Sequence, residues 1–473
     1  MYKIIVAKDW QTMCRNRTWL AGCLLLLLMC GIAFTGTLQQ DAQLQTQRLA
    51  ADSLFRAQWD QLRAGNPHDA AHFGTWLYKP LSVLSSFDNG IHHVSGYTMR
   101  VEAHVQHMPA AAPVQPADNY LRFGAFTPAA VLQLFFPLVI IFCCYQLYVQ
   151  EREAGTLKLL LIQGGARGVL VRAKAGLALL LSNGLLLACL LLLLPALFFW
   201  RGGITSAISV QALLLTIAYM LYASVIALLC MAASVLLKRS NQALLLLLAG
   251  WLFAVVILPR MTAAAGDMLY PLPAQSVVQE NISRAEKSGI HGDEPRVQRQ
   301  QQLEARWLKQ YQVKTTAELP VNFDAILMQA AEDYMQRIYE DQTRHIDSII
   351  RLQHSITAYA VLLDPYLAIR ELSMALCGAD YMHHAHFFAA ARRYRNDFIA
   401  ALNHEMAYGG SKTGDYSWKA DATFFKQMPV FRYTPPGTGE ILRQQYLAGI
   451  SLLIWVTAGL LLLGKLSRQE SAG

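Results

Sequence analysis

The chain has 473 residues, 54% of them hydrophobic and only 15% charged, with a formal net charge of +8. A soluble domain carries nearer a quarter charged residues, so the composition excludes an ordinary soluble protein and points to an integral membrane protein. Many of the basic residues sit beside apolar runs, so the positive charge is no argument for nucleic-acid binding.

Residues 1–17 open the chain as an amphipathic segment. As a helix it places Tyr2, Val6, Trp10, Met13 and Cys14 on one face and Lys8, Gln11, Thr12 and Arg15 largely opposite. That pattern suits a helix lying in the membrane interface, with Trp10 at headgroup depth. The long basic region and the absence of a small-x-small site argue against a cleaved signal peptide.

Six apolar runs follow, at about 18–37, 127–148, 169–199, 205–236, 242–259 and 444–464, each long enough to span a bilayer. Lys3, Lys8, Arg15 and Arg17 precede the first. Arg152, Lys158, Arg167, Arg172 and Lys174 surround the link between the second and third. Lys238 and Arg239 separate the fourth and fifth, and Lys465 and Arg468 follow the sixth, in the tail 465–473. The positive-inside rule therefore predicts both termini in the cytoplasm. Pro128 stands at a helix start, where it is harmless, whereas Pro137 falls in mid-span and predicts a kink. Lys174, near the start of the third span, is the one ionisable residue within a span interior. Seven of the eight cysteines lie in or beside spans, leaving Cys377 alone outside, so no disulfide framework is expected there.

Between the second and third spans, residues 149–168 turn polar at once with Glu151, Arg152 and Glu153. Gly155 permits a sharp bend, and Thr156 is a candidate N-cap for a short helix over Leu157–Ile162, stopped by Gly164-Gly165. A two-turn helix carrying Leu157, Leu160 and Leu161 is marginal in water and needs a partner's groove.

Two large segments lie on the other side. Residues 38–126 continue helical to about Arg63, then become mixed and β-prone, with a Pro/Ala stretch at 109–117. Residues 260–443 predict a charged helix over 277–311 and a longer one from Phe323 to Leu363. Leu327, Ala331, Tyr334, Ile338, Ile349, Leu352, Ile356 and Tyr359 form a seam along the longer one, so an antiparallel helical hairpin is expected. The fold class is thus an all-α membrane protein, six spans with a mostly helical extracytoplasmic domain and some β structure in its first insertion.

All thirteen histidines fall in those two segments. His383 and His386 stand three apart on a predicted helix with Asp380 three residues before His383, a spacing that can chelate one ion. His104 and His107 share the spacing. Because apolar spans exclude histidine, the confinement is expected without any metal, and the His-His-x-His run is also readable as the cap of a helix junction. Gly409–Thr413 lacks phosphate-loop spacing, His404-Glu405 lacks the second histidine of a zinc protease, and Ser373 lacks a nucleophile elbow. No catalytic residue and no cofactor is expected.

The Glu-Arg-Glu-x-Gly-Thr-Leu run after a span, with Lys174 heading the next, resembles the cytoplasmic coupling segment of ATP-binding-cassette (ABC) permeases of the type-2 exporter class. LFFPL (134–138), WLFAVVILPR (251–260), ELPVNFD (318–324) and the 372–395 run resemble a bacterial subfamily with a large extracytoplasmic insertion before the last span. The Gln163-Gly164-Gly165 turn departs from the proline many relatives carry. The resemblance implies an inner-membrane permease subunit, probed from the cytoplasm by a separate ATPase in two copies and paired with a second permease, identical or paralogous. It implies ATPase coupling through Glu151, Arg152, Glu153, Gly155, Thr156, Leu157, Leu160 and Leu161, aided by an elbow helix carrying Val6, Trp10, Met13 and Arg15. Glu151 and Glu153 are expected to meet basic groups on the ATPase. Two other readings stand beside transport: mechanical work on a periplasmic or outer-membrane partner, and a metal-binding maturation or sensing subunit.

Overall fold

Among the described residues, long leucine-rich runs fold into six helices long and apolar enough to cross a bilayer. The computed structural model describes residues 2–15, 17–61, 64–106, 126–162 and 166–468. The glycine stop at 164–165, His107 and the Pro/Ala stretch at 109–117 lie outside the described residues.

In chain order, α1 (Tyr2–Arg15) leads into α2 (Arg17–Asp60), the first span and its continuous polar extension. β1 (Ala64–Gly65), α3 (Pro67–Phe73), β2 (Thr75–Tyr78), α4 (His92–Ser95) and β3 (Thr98–Val101) make up the rest of the first insertion. The second span is α5 (Pro128–Glu153), followed by the short α6 (Thr156–Ile162). Next come the spans α7 (Arg167–Arg201), α8 (Ser206–Leu236) and α9 (Ser240–Leu269). The second insertion holds α10 (Gln275–Ser288), α11 (Arg296–Tyr311), α12 (Phe323–Ala360), α13 (Pro365–Leu376), α14 (Tyr381–Tyr408), β4 (Ala420–Asp421), α15 (Ala422–Gln427) and α16 (Thr438–Gln444). The last span is α17 (Tyr446–Arg468).

The prolines inside spans two and five produce the same local device. A wide five-residue π turn, Val131–Phe135 in α5 and Phe253–Ile257 in α9, immediately precedes Phe136-Pro137 and Leu258-Pro259. Proline has no N–H to offer the preceding turn, and widening that turn accommodates its ring without breaking the helix.

The two insertions build one extramembrane lobe rather than two. β2 pairs antiparallel with β3 inside the first insertion, and β1 pairs antiparallel with β4, joining the two insertions. Trp59, at the end of α2, packs with Phe398 and Phe425 and donates its indole N–H to the Phe425 carbonyl at 2.9 Å. Among the described residues of the first insertion, β structure comprises the short strands β1, β2 and β3.

The expected hairpin is present with two corrections. Its long arm, α12, has 38 residues, a length of roughly 57 Å. The predicted 277–311 helix is broken, because Gly289 and Gly292 adopt positive φ and Pro295 follows. Three successive segments therefore line α12 in antiparallel order: the end of α9 at Gln353, α10 at Ile338 and Tyr334, and α11 at Phe323 and Leu327. The seam is buried only in its first half; Leu352 and Tyr359 are exposed, while Glu332, off the seam, is buried.

Helix α13 belongs to the membrane bundle, although its sequence sits inside the second insertion. Leu367, Ala368, Ile369, Leu372, Ala375 and Leu376 join the core cluster of the spans. Ser373 donates to Asp88 at 2.5 Å and meets the hydroxyl of Tyr219, which accepts from Gln133 at 2.8 Å. This buried polar knot ties α13 to spans α5 and α8.

Candidate functional site

The most connected polar site lies at the end of the bundle that carries α1 and α6. Lys174, on the first turns of α7, is 1% exposed. A buried ammonium is costly unless paired, and its Nζ lies 2.7 Å from Asp9 Oδ2 and 3.3 Å from Glu151 Oε1. Lys8, on the solvent side, adds a contact of 2.6 Å to the same Glu151 oxygen and 3.6 Å to Asp9. Two ammonium groups and two carboxylates thus form a neutral quartet joining α1, α5 and α7.

This arrangement fixes which side of α1 faces the bundle. Its inward face is Ile5 and Asp9, with Val6 and Met13 half-buried, whereas Tyr2, Trp10 and Arg15 are exposed. The charge of Lys174 draws Asp9 inward, while Trp10 stays on the outer face, where a bilayer interface would receive it.

The end of α5 and the start of α6 are equally tied down within the chain. Glu151 accepts the Thr156 hydroxyl on its second oxygen, tying the first residue of α6 to the end of α5. Glu153 accepts the Ser240 N–H at 2.8 Å and the Ser240 hydroxyl, which caps the start of α9. The Arg152 guanidinium donates to the carbonyls of Leu237 and Val235, and the Ser234 hydroxyl accepts the N–H groups of Tyr148 and Val149. Both acidic side chains assigned to a partner's basic groups therefore already have partners here. Gly155 has φ +74°, the left-handed turn its sequence position predicted.

The outward surface of this segment is mixed, with Glu153 and Lys158 exposed beside two apolar side chains. On α6, Leu157 and Leu160 pack against the span core and Leu161 is half-buried, while Leu159 and Ile162 stand 58% and 82% exposed. A cavity of about 800 Å³ opens beside the quartet between α1, α2 and α5, lined by Lys8, Asp9, Trp19, Phe142, Glu151 and Lys174.

The metal candidates predicted on α14 do not converge. Asp380 caps α14, accepting the His383 N–H at 3.0 Å and its ring Nδ1 at 2.5 Å. Burial pushes the Asp380 carboxyl up, and these bonds with the Lys79 charge outweigh it, holding it below the usual range. His386 faces Tyr433 instead, at 3.1 Å. His384 is pushed down to about 4, first by burial and then by Lys79 and Arg392, and so is neutral. Replacing Asp380 with alanine should destabilise the lobe by about 1–2 kcal/mol through the lost cap. Thermal unfolding of the purified chain measures this, and an unchanged midpoint would remove the capping role.

Among the described residues, three histidines do converge: His68, His72 and His104 each place a ring nitrogen within 4.8 Å of the others. Sequence reading missed this set. The His-x-x-x-His spacing of residues 68 and 72, directly after Asn66-Pro67, was its one visible signal.

Residues 277–434, from α10 past α14, match the family described as Domain of unknown function (DUF3526). No curated protein matches the chain.

Proposed function

We propose that this chain is the membrane subunit of a bacterial type-2 ABC transporter, an exporter driven by a separate ATPase bound in two copies and paired with a second permease. The observation that carries the reading is the neutral quartet of Lys8, Asp9, Glu151 and Lys174, set directly before a short helix with exposed Leu159 and Ile162. A push on α6 is passed through Glu151 to α1 and α7 together, and through Glu153 to the start of α9. The π turns ahead of Pro137 and Pro259 supply bending points in the two spans that receive it. In α9 only 6% of the apolar window is buried within the chain, against 56% in α7, which leaves that face to lipid or to a second permease. The basic residues flanking the spans at this end support a cytoplasmic location for it, as the reading requires.

In this reading the carboxylates transmit force inside the subunit, and the apolar tip of α6 docks. Gently solubilised native membranes should yield the chain with an ATP-hydrolysing polypeptide. The double variant Leu159→Asp, Ile162→Asp should lose that companion while its own unfolding midpoint stays unchanged. Equal recovery of the ATPase with the variant would end the assignment of α6 as the docking element.

A second reading keeps the motor and drops the conduit. The 38-residue α12, antiparallel to the extramembrane continuation of α9, would carry motion of span five to a partner beyond the membrane. Cross-linking from exposed positions such as Tyr359 separates the two: capture of one defined protein favours mechanical work, and transport by the purified complex in vesicles favours a conduit.

A further inference from the structure

Three imidazoles meet on one face of the extramembrane lobe, and each is placed by a different device. Asn66 accepts the His68 N–H at 2.8 Å and Pro67 occupies the first helical position, so α3 starts where His68 and His72 fall one turn apart. Their Nε2 atoms lie 3.2 Å apart. Nitrogens on a tetrahedral zinc ion, with bonds of 2.0–2.1 Å, stand roughly 3.3 Å apart. His104 comes from the loop after β3, which the Ala103 N–H fastens to the Ala71 carbonyl at 3.0 Å. Gly74 allows that approach, since a Cβ there would meet the Val101 carbonyl oxygen at 2.5 Å. The His104 ring centroid lies 5.4 Å from that of His68 and 5.1 Å from that of His72.

His104 is held by a buried carboxylate. Glu332 Oε1 accepts the His104 N–H at 2.6 Å and sits 3.2 Å from His104 Nδ1, leaving Nε2 for the other two rings. The backbone of His104 is left-handed, with φ +62°, a conformation that a residue with a side chain keeps only when its surroundings hold it. A carboxylate on the far nitrogen of a ligating histidine is the usual outer partner of a metal-bound imidazole.

We propose that His68, His72 and His104 form a binding site for a divalent first-row cation of the zinc class, with Glu332 orienting His104 and a fourth position open to water. Three imidazole ligands suit zinc, copper or nickel over calcium or magnesium, which take oxygen ligands. His72 and His104 are exposed, so an ion can enter without unfolding the lobe. The site lies where the first insertion meets α12, and occupancy would brace that junction. It is separate from the α1–α5–α7 quartet and stands or falls independently of the transport reading.

The test uses the full chain without a polyhistidine tag, purified in detergent and stripped with chelator. Zinc is titrated against a chromophoric competitor, and cobalt is added in parallel to report coordination geometry. One equivalent of zinc is expected at a Kd of about 1 µM or tighter. The cobalt complex should show the intense visible bands of a tetrahedral site. His72→Ala, at an exposed position, should weaken binding by more than about 100-fold, and Glu332→Gln by about 10–100-fold. Wild-type chain that binds no zinc at 10 µM or below overturns the proposal. So does binding that His72→Ala leaves unchanged, since the ion then sits on other histidines.

Discussion

Lys174→Met is expected to be the most damaging single change at the α1 end of the bundle, lowering stability by about 3–5 kcal/mol. Lys174 Nζ is the contact closest to Asp9, at 2.7 Å, and Asp9 is itself buried. Removing the ammonium leaves two buried carboxylates facing one remaining lysine, an uncompensated charge where solvent cannot screen it. The Lys8 side chain is 57% exposed, so Lys8→Met should cost far less although it removes the shorter contact to Glu151. Pairing Lys174→Met with Asp9→Asn restores neutrality and should recover much of the loss, because the two sites are directly coupled. Thermal unfolding in detergent of the three variants gives the ranking. If Lys8→Met proves as harmful as Lys174→Met, burial does not govern the quartet and the force path through Glu151 loses its basis.

The spans were readable because a bilayer asks one thing of a sequence, some twenty apolar residues without charge, and six runs meet it. The bend at Gly155 was readable because one residue type tolerates that backbone. Asp9, Glu151 and Lys174 were each visible as residues, but their meeting depends on three helices distant in sequence, and no periodicity carries it. For the same reason the inward turn of Asp9 on α1 was not legible: hydrophobicity along the helix carries no trace of the buried cation on α7 that draws it in. Helix α13 looked external because Asp88, Ser373 and Tyr219 satisfy one another only after two distant segments close around it. On α14, His383 and His386 had chelating spacing, yet a capping aspartate and a tyrosine took them first. The converging set needed a strand end and a helix start to meet, and the spacing of His68 and His72 gave half of it.

Arg395→Met should destabilise the extramembrane lobe by about 3–5 kcal/mol at neutral pH, the second large effect. Arg395 is 1% exposed, its Nη1 lies 2.7 Å from Glu332 Oε2, and its remaining donors reach the Glu102 carbonyl at 3.0 and 3.2 Å. Burial alone would raise the Glu332 carboxyl. The hydrogen bonds from His104 and the charge of Arg395 outweigh it and hold the carboxyl at about 2, against an ordinary 4.5. A carboxylate whose pKa is lower folded than unfolded adds stability above the unfolded value. That contribution fades as pH falls from about 4.5 through 2, where both states become protonated. The gap between wild type and Arg395→Met should therefore be widest near pH 7 and narrow steadily below pH 4.5. Replacing Glu332 with glutamine in the Arg395→Met background removes the orphaned charge and should recover stability at pH 7 while flattening the acid dependence. Unfolding midpoints at pH 7, 4.5 and 3 decide the matter: a gap that stays constant across that range would show that Arg395 stabilises by packing, with no charge partnership through Glu332.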